Sequence, residues 1–192
     1  MEKMAFHEVL PLPEYERRRP DTQPAMIALR GRLRVTLGPI MSLAFEERRT
    51  LLYQVQEMMR AESITSPEGI QTELDTYNSL VPGDGELVAT LLLEITDPAE
   101  LRRRLPQLVG IEHAVSIRLG AVVVQGRGEG GRSTDETTSS VHYLRFPVTP
   151  DAAAALEDAS VQAHVVIDHP AYQAWTEVSP QLRQELTRIL RG

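Results

Sequence analysis

The chain contains no cysteine among its 192 residues. That excludes internal disulfides, thiol nucleophiles, cysteine-bound zinc and cysteine-ligated iron–sulfur clusters. Lysine is almost absent too. With Lys3 as the only one, there is neither a buried Schiff-base lysine nor a Walker-type phosphate loop. Aromatic residues make up 5% of the chain, so aliphatic side chains must fill the core. No apolar run approaches the ~18 residues that a membrane-spanning helix requires, and the start, MEKMAFHEVL, lacks the apolar stretch of a secretory signal. A formal net charge of −7 opposes non-specific binding to nucleic acid. These absences lead us to expect a cytoplasmic protein with neither a membrane nor a nucleic-acid partner.

What the chain does contain is most regular from residue 86 onward. ELVATLLLEI (86–95) is a nearly continuous apolar run, as in a strand covered on both faces. Leu87, Ala89, Leu91, Leu93 and Ile95 share one face of it, while Val88, Thr90 and Leu92 share the other. Asp97 and Pro98 then start a helix that Gly110 stops. AVSIRLGAVVVQG (114–126) predicts one long strand bent at Gly120, and SSVHYLRFPV (139–148) a third strand. Thr149 and Pro150 open a second helix, and AHVVID (163–168) predicts a fourth strand. The order β-α-β-β-α-β implies an α+β fold with a ferredoxin-like antiparallel sheet. Residues 86–192 would form that domain, closed by a helix capped at Ser179.

Residues 1–85 read as an N-terminal extension of the same unit. PEYERRRP and DTQPAMIALRGRL predict two separate helical pieces, because prolines interrupt the pattern. RVTL and MSLAF predict short strands. TLLYQVQEMMRAE (50–62) and SPEGIQTELDTYNSL predict amphipathic helices. Either this extension or a second copy of the chain would have to cover the remaining face of the sheet, which leaves room for a homodimer.

On the helix at 50–62, Leu51, Leu52, Val55, Met58 and Met59 form an apolar arc, and Tyr53, Gln56, Glu57 and Arg60 form a polar one. Tyr53 and Glu57 lie one turn apart, and Glu57 and Arg60 are i, i+3 neighbours. A carboxylate held by an ion pair beside a phenol fits either a ligand site or a solvated face. His142 and Arg145 fall on opposite faces of the third strand, and DHPAY places Asp168 and His169 at a strand end. These eight residues are expected to converge on one concavity. A histidine on an apolar face is more often a buried, hydrogen-bonded residue than a ligand. No Glu-x-x-His falls on a predicted helix and no Gly-x-Ser-x-Gly elbow occurs, so no metal or cofactor is expected. Gly126, Gly128 and Gly131 satisfy G-x-G-x-x-G, but no helix follows to hold a pyrophosphate. Arg30, Arg32 and Arg34 alternate as on a strand, which would aim three guanidiniums to one side, suited to an anion.

FEERRTLLYQVQEMMRAE, ELDTYNSLVPGDGELVAT, LVGIEH, TTSSVHYLRF and DHPAY together resemble a bacterial family of unknown function. That family is often encoded beside rubrerythrin and a heterodisulfide-reductase-like iron–sulfur protein. The matching positions include all eight candidates and also Glu46, Arg48, Gln54, Glu62, Tyr77, Asn78 and Phe146. The chain departs from the family at LRGRLR and at its glycine-rich loop. The resemblance implies an accessory protein, itself without metal, whose partners are rubrerythrin or the iron–sulfur protein. The alternative is a small-molecule protein, binding or converting an anionic metabolite in a Tyr/Glu/Arg/His pocket.

Overall fold

Strand β3 (Glu86–Leu93) lies at the centre of a computed structural model that describes all 192 residues. It pairs antiparallel with β2 (Met41–Phe45) on one side and β7 (Val141–Pro147) on the other. With β1 (Arg34–Leu37) and the two-residue β6 (Arg127–Gly128) they form a sheet in the order β1-β2-β3-β7-β6. A second antiparallel sheet runs β5 (Val122–Gln125), β4 (Val115–Leu119), β8 (Ala163–His169), β9 (Tyr172–Glu177). The fold is α+β, with six α-helices.

A ferredoxin-like sheet would interleave β3, β4, β7 and β8. Here β3 and β7 pair as that arrangement requires, but β4 pairs with β8 in the other sheet. Two features account for the difference. β2 occupies the flank of β3, and the segment 114–126 folds back at Gly120 (φ +57°) into the β4–β5 hairpin instead of forming one bent strand. The positive φ is the conformation that glycine adopts without penalty. β9 was not foreseen, because YQAWTE follows a turn and only half of its residues are apolar. Because β1 and β2 belong to the same sheet as β3, residues 1–85 and 86–192 share one framework.

The two sheets enclose a core that also takes in helices α5 (Pro150–Glu157) and α6 (Pro180–Arg191). Leu87, Ala89, Leu91 and Leu93 point into it, as alternation requires. The outer face of the first sheet is covered by α1 (Leu12–Arg32), α2 (Arg48–Glu62) and α3 (Pro67–Asn78). α1 runs unbroken through Pro20 and Pro24, where two pieces were expected. Its contacts with α2 offset the lost backbone hydrogen bonds. The helix starts follow the sequence signals: Ser66, Asp97, Thr149 and Ser179 each accept a backbone N–H, and each is followed by proline. The outer face of the second sheet is uncovered, and Trp175 stands there 68% exposed against His164. No helix is long and apolar enough to cross a membrane.

The chain passes from one sheet to the other at Gly126, whose N–H bonds the Val115 carbonyl. A Cβ there would lie 2.8 Å from Phe146 Cε1 and 2.9 Å from the Val115 carbonyl oxygen. Gly126→Ala is therefore expected to cost about 1–3 kcal/mol of stability. Urea unfolding would show this as a lower midpoint with an unchanged slope.

Candidate functional site

The structure does not bring the eight candidates together. Gln56 is buried and clamps the chain at Leu10: its Oε1 accepts from the Leu10 N–H at 2.6 Å, and its Nε2 donates to the Leu10 carbonyl at 3.2 Å. Glu57 accepts from the Tyr15 hydroxyl at 2.6 Å and from Arg19 Nε at 2.7 Å, with Arg60 at 3.5 Å. The hydrogen bond from Arg19 is the largest reason that the Glu57 carboxyl is held down at about 2; burial acts against it, and Tyr15 adds to the lowering. The polar arc of α2 is thus mostly the seam to α1. Tyr53 lines a groove of about 280 Å³ beside Tyr15, Arg48, Arg49 and Gln56. Most polar groups around that groove bond to one another or to a neighbour, Arg48 to Glu8, Arg49 to Glu47 and Gln56 to Leu10, and the Tyr53 hydroxyl is left without a partner.

Arg145 joins Glu86 at 2.7 Å and the Ser79 carbonyl, tying β7 to β3 and the end of α3. Asp168 is exposed, 3.7 Å from Arg118. His169 is buried at the β8–β9 turn, where Nε2 meets the Val109 carbonyl and Nδ1 accepts from the Ala171 N–H. Each of these is a structural tie. His142 is 1% exposed on β7. Its Nε2 lies 2.9 Å from the Ser139 carbonyl, which can only accept, so Nε2 carries the proton. Nδ1 then faces Glu112 Oε2 at 3.8 Å, and both atoms are buried without a hydrogen-bond partner. Burial holds the His142 imidazolium below its ordinary range. Burial opposes ionisation of Glu112 as well, but hydrogen bonds from Ser133 and its own backbone leave that carboxyl below the usual range. A bare imidazole nitrogen therefore confronts a carboxylate.

The recess with free polar groups lies elsewhere, on the outer face of the first sheet. Arg34, Ala44, Thr90 and Tyr143 are cross-strand partners in one row over four strands. Leu92 and Val141 lie beside this row. Over it the end of α1 brings Arg30 and Leu33, the start of α2 brings Thr50 and Gln54, and the end of α3 brings Tyr77 and Leu80. They enclose a cavity of about 250 Å³. Glu46, at the end of β2, also lines it and is 6% exposed. Thr90 Oγ1 donates to Glu46 Oε1 at 2.6 Å. Burial pushes the Glu46 carboxyl up, with the Thr90 hydrogen bond and the charge of Arg30 acting the other way. Burial likewise raises the Tyr77 phenol. The second oxygen of Glu46, the Arg30 guanidinium, the Gln54 amide and the hydroxyls of Tyr77 and Tyr143 have no hydrogen-bond partner within the protein.

Sequence reasoning missed this site. Glu46, Gln54 and Tyr77 were among the positions that carry the family resemblance, and Thr90 is a polar residue within an apolar strand. The arginine triplet does not lie on one strand face. Arg30 and Arg32 end α1, Arg34 opens β1, and Arg32 pairs with Glu185.

Over residues 3–190 the chain matches the family described as "Protein of unknown function (DUF3501)". It belongs to that family. The crystal structure of a novel protein of unknown function from Burkholderia pseudomallei K96243 superposes with a TM-score of 0.90 at 33% identity, covering 98% of this chain and 100% of that one. No curated protein matches.

Two variants test the structural assignments. The folded pKa of Glu57, about 2, lies below the unfolded value of about 4.3. Its stabilising effect is thus complete above about pH 4.3 and disappears as pH falls towards 2. Glu57→Gln should cost about 1–2 kcal/mol at neutral pH, discounted for partial exposure, and the gap to wild type should close in acid when followed by thermal unfolding. Glu112→Gln supplies an N–H facing His142 Nδ1 and is expected to raise stability by about 1 kcal/mol; a lower melting temperature would contradict the unpaired arrangement.

Proposed function

We propose that this protein binds a small anionic metabolite in the cavity between the first sheet and helices α1 to α3. The reading rests on one observation: several polar groups around a single recess have no partner in the protein, and one of them, the second oxygen of Glu46, belongs to a buried carboxyl. Buried polar groups are ordinarily hydrogen-bonded, and a carboxyl left short of partners costs stability unless a ligand or water completes it. Arg30, at the mouth and free of any ion pair, offers a forked donor for a carboxylate or phosphate. Tyr77 and Tyr143 add neutral donors. A recess of about 250 Å³ suits a small metabolite. Leu33, Leu80, Leu92 and Val141 give the recess apolar walls beside its few polar groups, the usual make-up of a ligand pocket.

The other reading, an accessory protein of a rubrerythrin and iron–sulfur redox system, draws on the family resemblance. Co-purification with either partner at micromolar concentration would favour it.

A thermal-shift screen of small carboxylates, amino acids among them, and phosphates tests the ligand reading. At least one compound should raise the melting temperature. Arg30→Ala and Tyr143→Phe should each weaken its binding by roughly tenfold, about 1.4 kcal/mol, whereas Arg60→Ala should leave affinity unchanged. Failure of every anion, or indifference to Arg30→Ala, would remove the proposal.

A further inference from the structure

We infer that the ligand is amphoteric, a small aliphatic amino acid whose ammonium group pairs with the free oxygen of Glu46 while its carboxylate meets Arg30. This rests on the cavity being a binding site and specifies what it takes. The argument begins with charge placement. Glu46 and Arg30 line the same recess, near enough that the charge of Arg30 acts on the Glu46 carboxyl, yet they form no ion pair. A buried carboxyl with one oxygen short of a donor and a guanidinium without an ion pair thus line a single cavity. A ligand with only negative groups would bring its charge against Glu46. One with only positive groups would face Arg30. Only a molecule bearing both signs satisfies both walls.

The carboxyl is also held in place. The backbone N–H of Glu46 donates to the Val88 carbonyl at 2.8 Å, continuing the edge of the β2–β3 ladder. The next residue, Glu47, is the N-cap of α2, so the backbone is fixed on both sides. Thr90 orients the side chain by binding Oε1 at 2.6 Å. Oε2 remains as an acceptor without a donor, and an ammonium group supplies both the hydrogen bond and the charge that a 6%-exposed carboxylate otherwise lacks. The phenols of Tyr77 and Tyr143 line the same space and can donate to the ligand's carboxylate. Leu33, Leu80, Leu92 and Val141 offer an apolar wall to a short aliphatic side chain.

The experiment is isothermal titration of the purified full chain with three matched sets. The first is glycine, alanine, valine and leucine. The second is the corresponding 2-hydroxy acids, which lack the ammonium group. The third is the corresponding amines, which lack the carboxylate. The expected result is that one or more amino acids bind at least tenfold more tightly than both analogues. Glu46→Gln should weaken the amino acid at least tenfold and so narrow its margin over the hydroxy acid, whereas Arg30→Ala should weaken both acids. Equal binding of a hydroxy acid and its amino acid overturns this inference and leaves the anion-binding reading standing. Binding of amines alone overturns both, and so does the absence of binding across all three sets. Because the ligand comparison uses the wild-type chain, the result stands even if Glu46→Gln fails to fold.

Discussion

Strand β3 must be covered on both faces, and the rest of the molecule is arranged to do it. Leu87, Ala89, Leu91 and Leu93 require an apolar partner layer, which the second sheet and α6 provide. Burying each large aliphatic side chain is worth about 1.5–3 kcal/mol, so this one row fixes how the two sheets meet. The opposite row, Val88, Thr90 and Leu92, needs covering too, but a threonine cannot be sealed under hydrocarbon without a hydrogen bond. Glu46, just past the end of β2, meets that requirement by accepting from Thr90. A polar spot within an otherwise apolar face thus brings a second polar group with it, and the pair lies at the edge of the cavity.

Arginine performs most of the long-range fastening in a chain with a single lysine. Arg183 donates to the carbonyls of Ala155, Leu156, Asp158 and Val161, which closes the end of α5 against α6. Arg188 and Arg49 flank the buried Glu47 at the start of α2. Arg19 and Tyr15 hold Glu57. A planar guanidinium with several fixed donors suits such multipoint ties better than an ammonium does. The same property makes a free arginine informative. Once Arg19, Arg32, Arg48, Arg145 and Arg183 are assigned to partners, Arg30 stands out at a recess with its donors unengaged.

The relation between the two polar groups of α2 shows why the site was hard to read from the chain. Gln56 and Glu57 looked like ligand groups because they share an arc with Tyr53 and Arg60. Gln56 is consumed by the backbone of Leu10, and Glu57 by α1, a helix whose path through Pro20 and Pro24 local rules argue against. Gln54, on the same helix, faces the sheet and has no partner in the protein. A helical wheel separates polar from apolar positions, but it does not distinguish a polar residue that meets a neighbouring helix from one that meets a cavity.

Local chemistry decided the parts of this protein that depend on neighbours in sequence. Ser66, Asp97, Thr149 and Ser179 with their following prolines set helix starts. Alternation along 86–93 assigned each side chain of β3 to its face, and the absence of cysteine removed thiol chemistry. Pairing between strands did not follow in the same way, because β4 could lie beside β7 or β8 with equal satisfaction of its backbone. The turn at Gly120 and the position of β2 made that choice. The cavity is of the same kind. Its lining comes from α1, β1, β2, α2, α3, β3 and β7, segments spread over more than one hundred positions of the chain. Only the packed chain brings these residues around one recess and shows which of their polar groups are left without a partner.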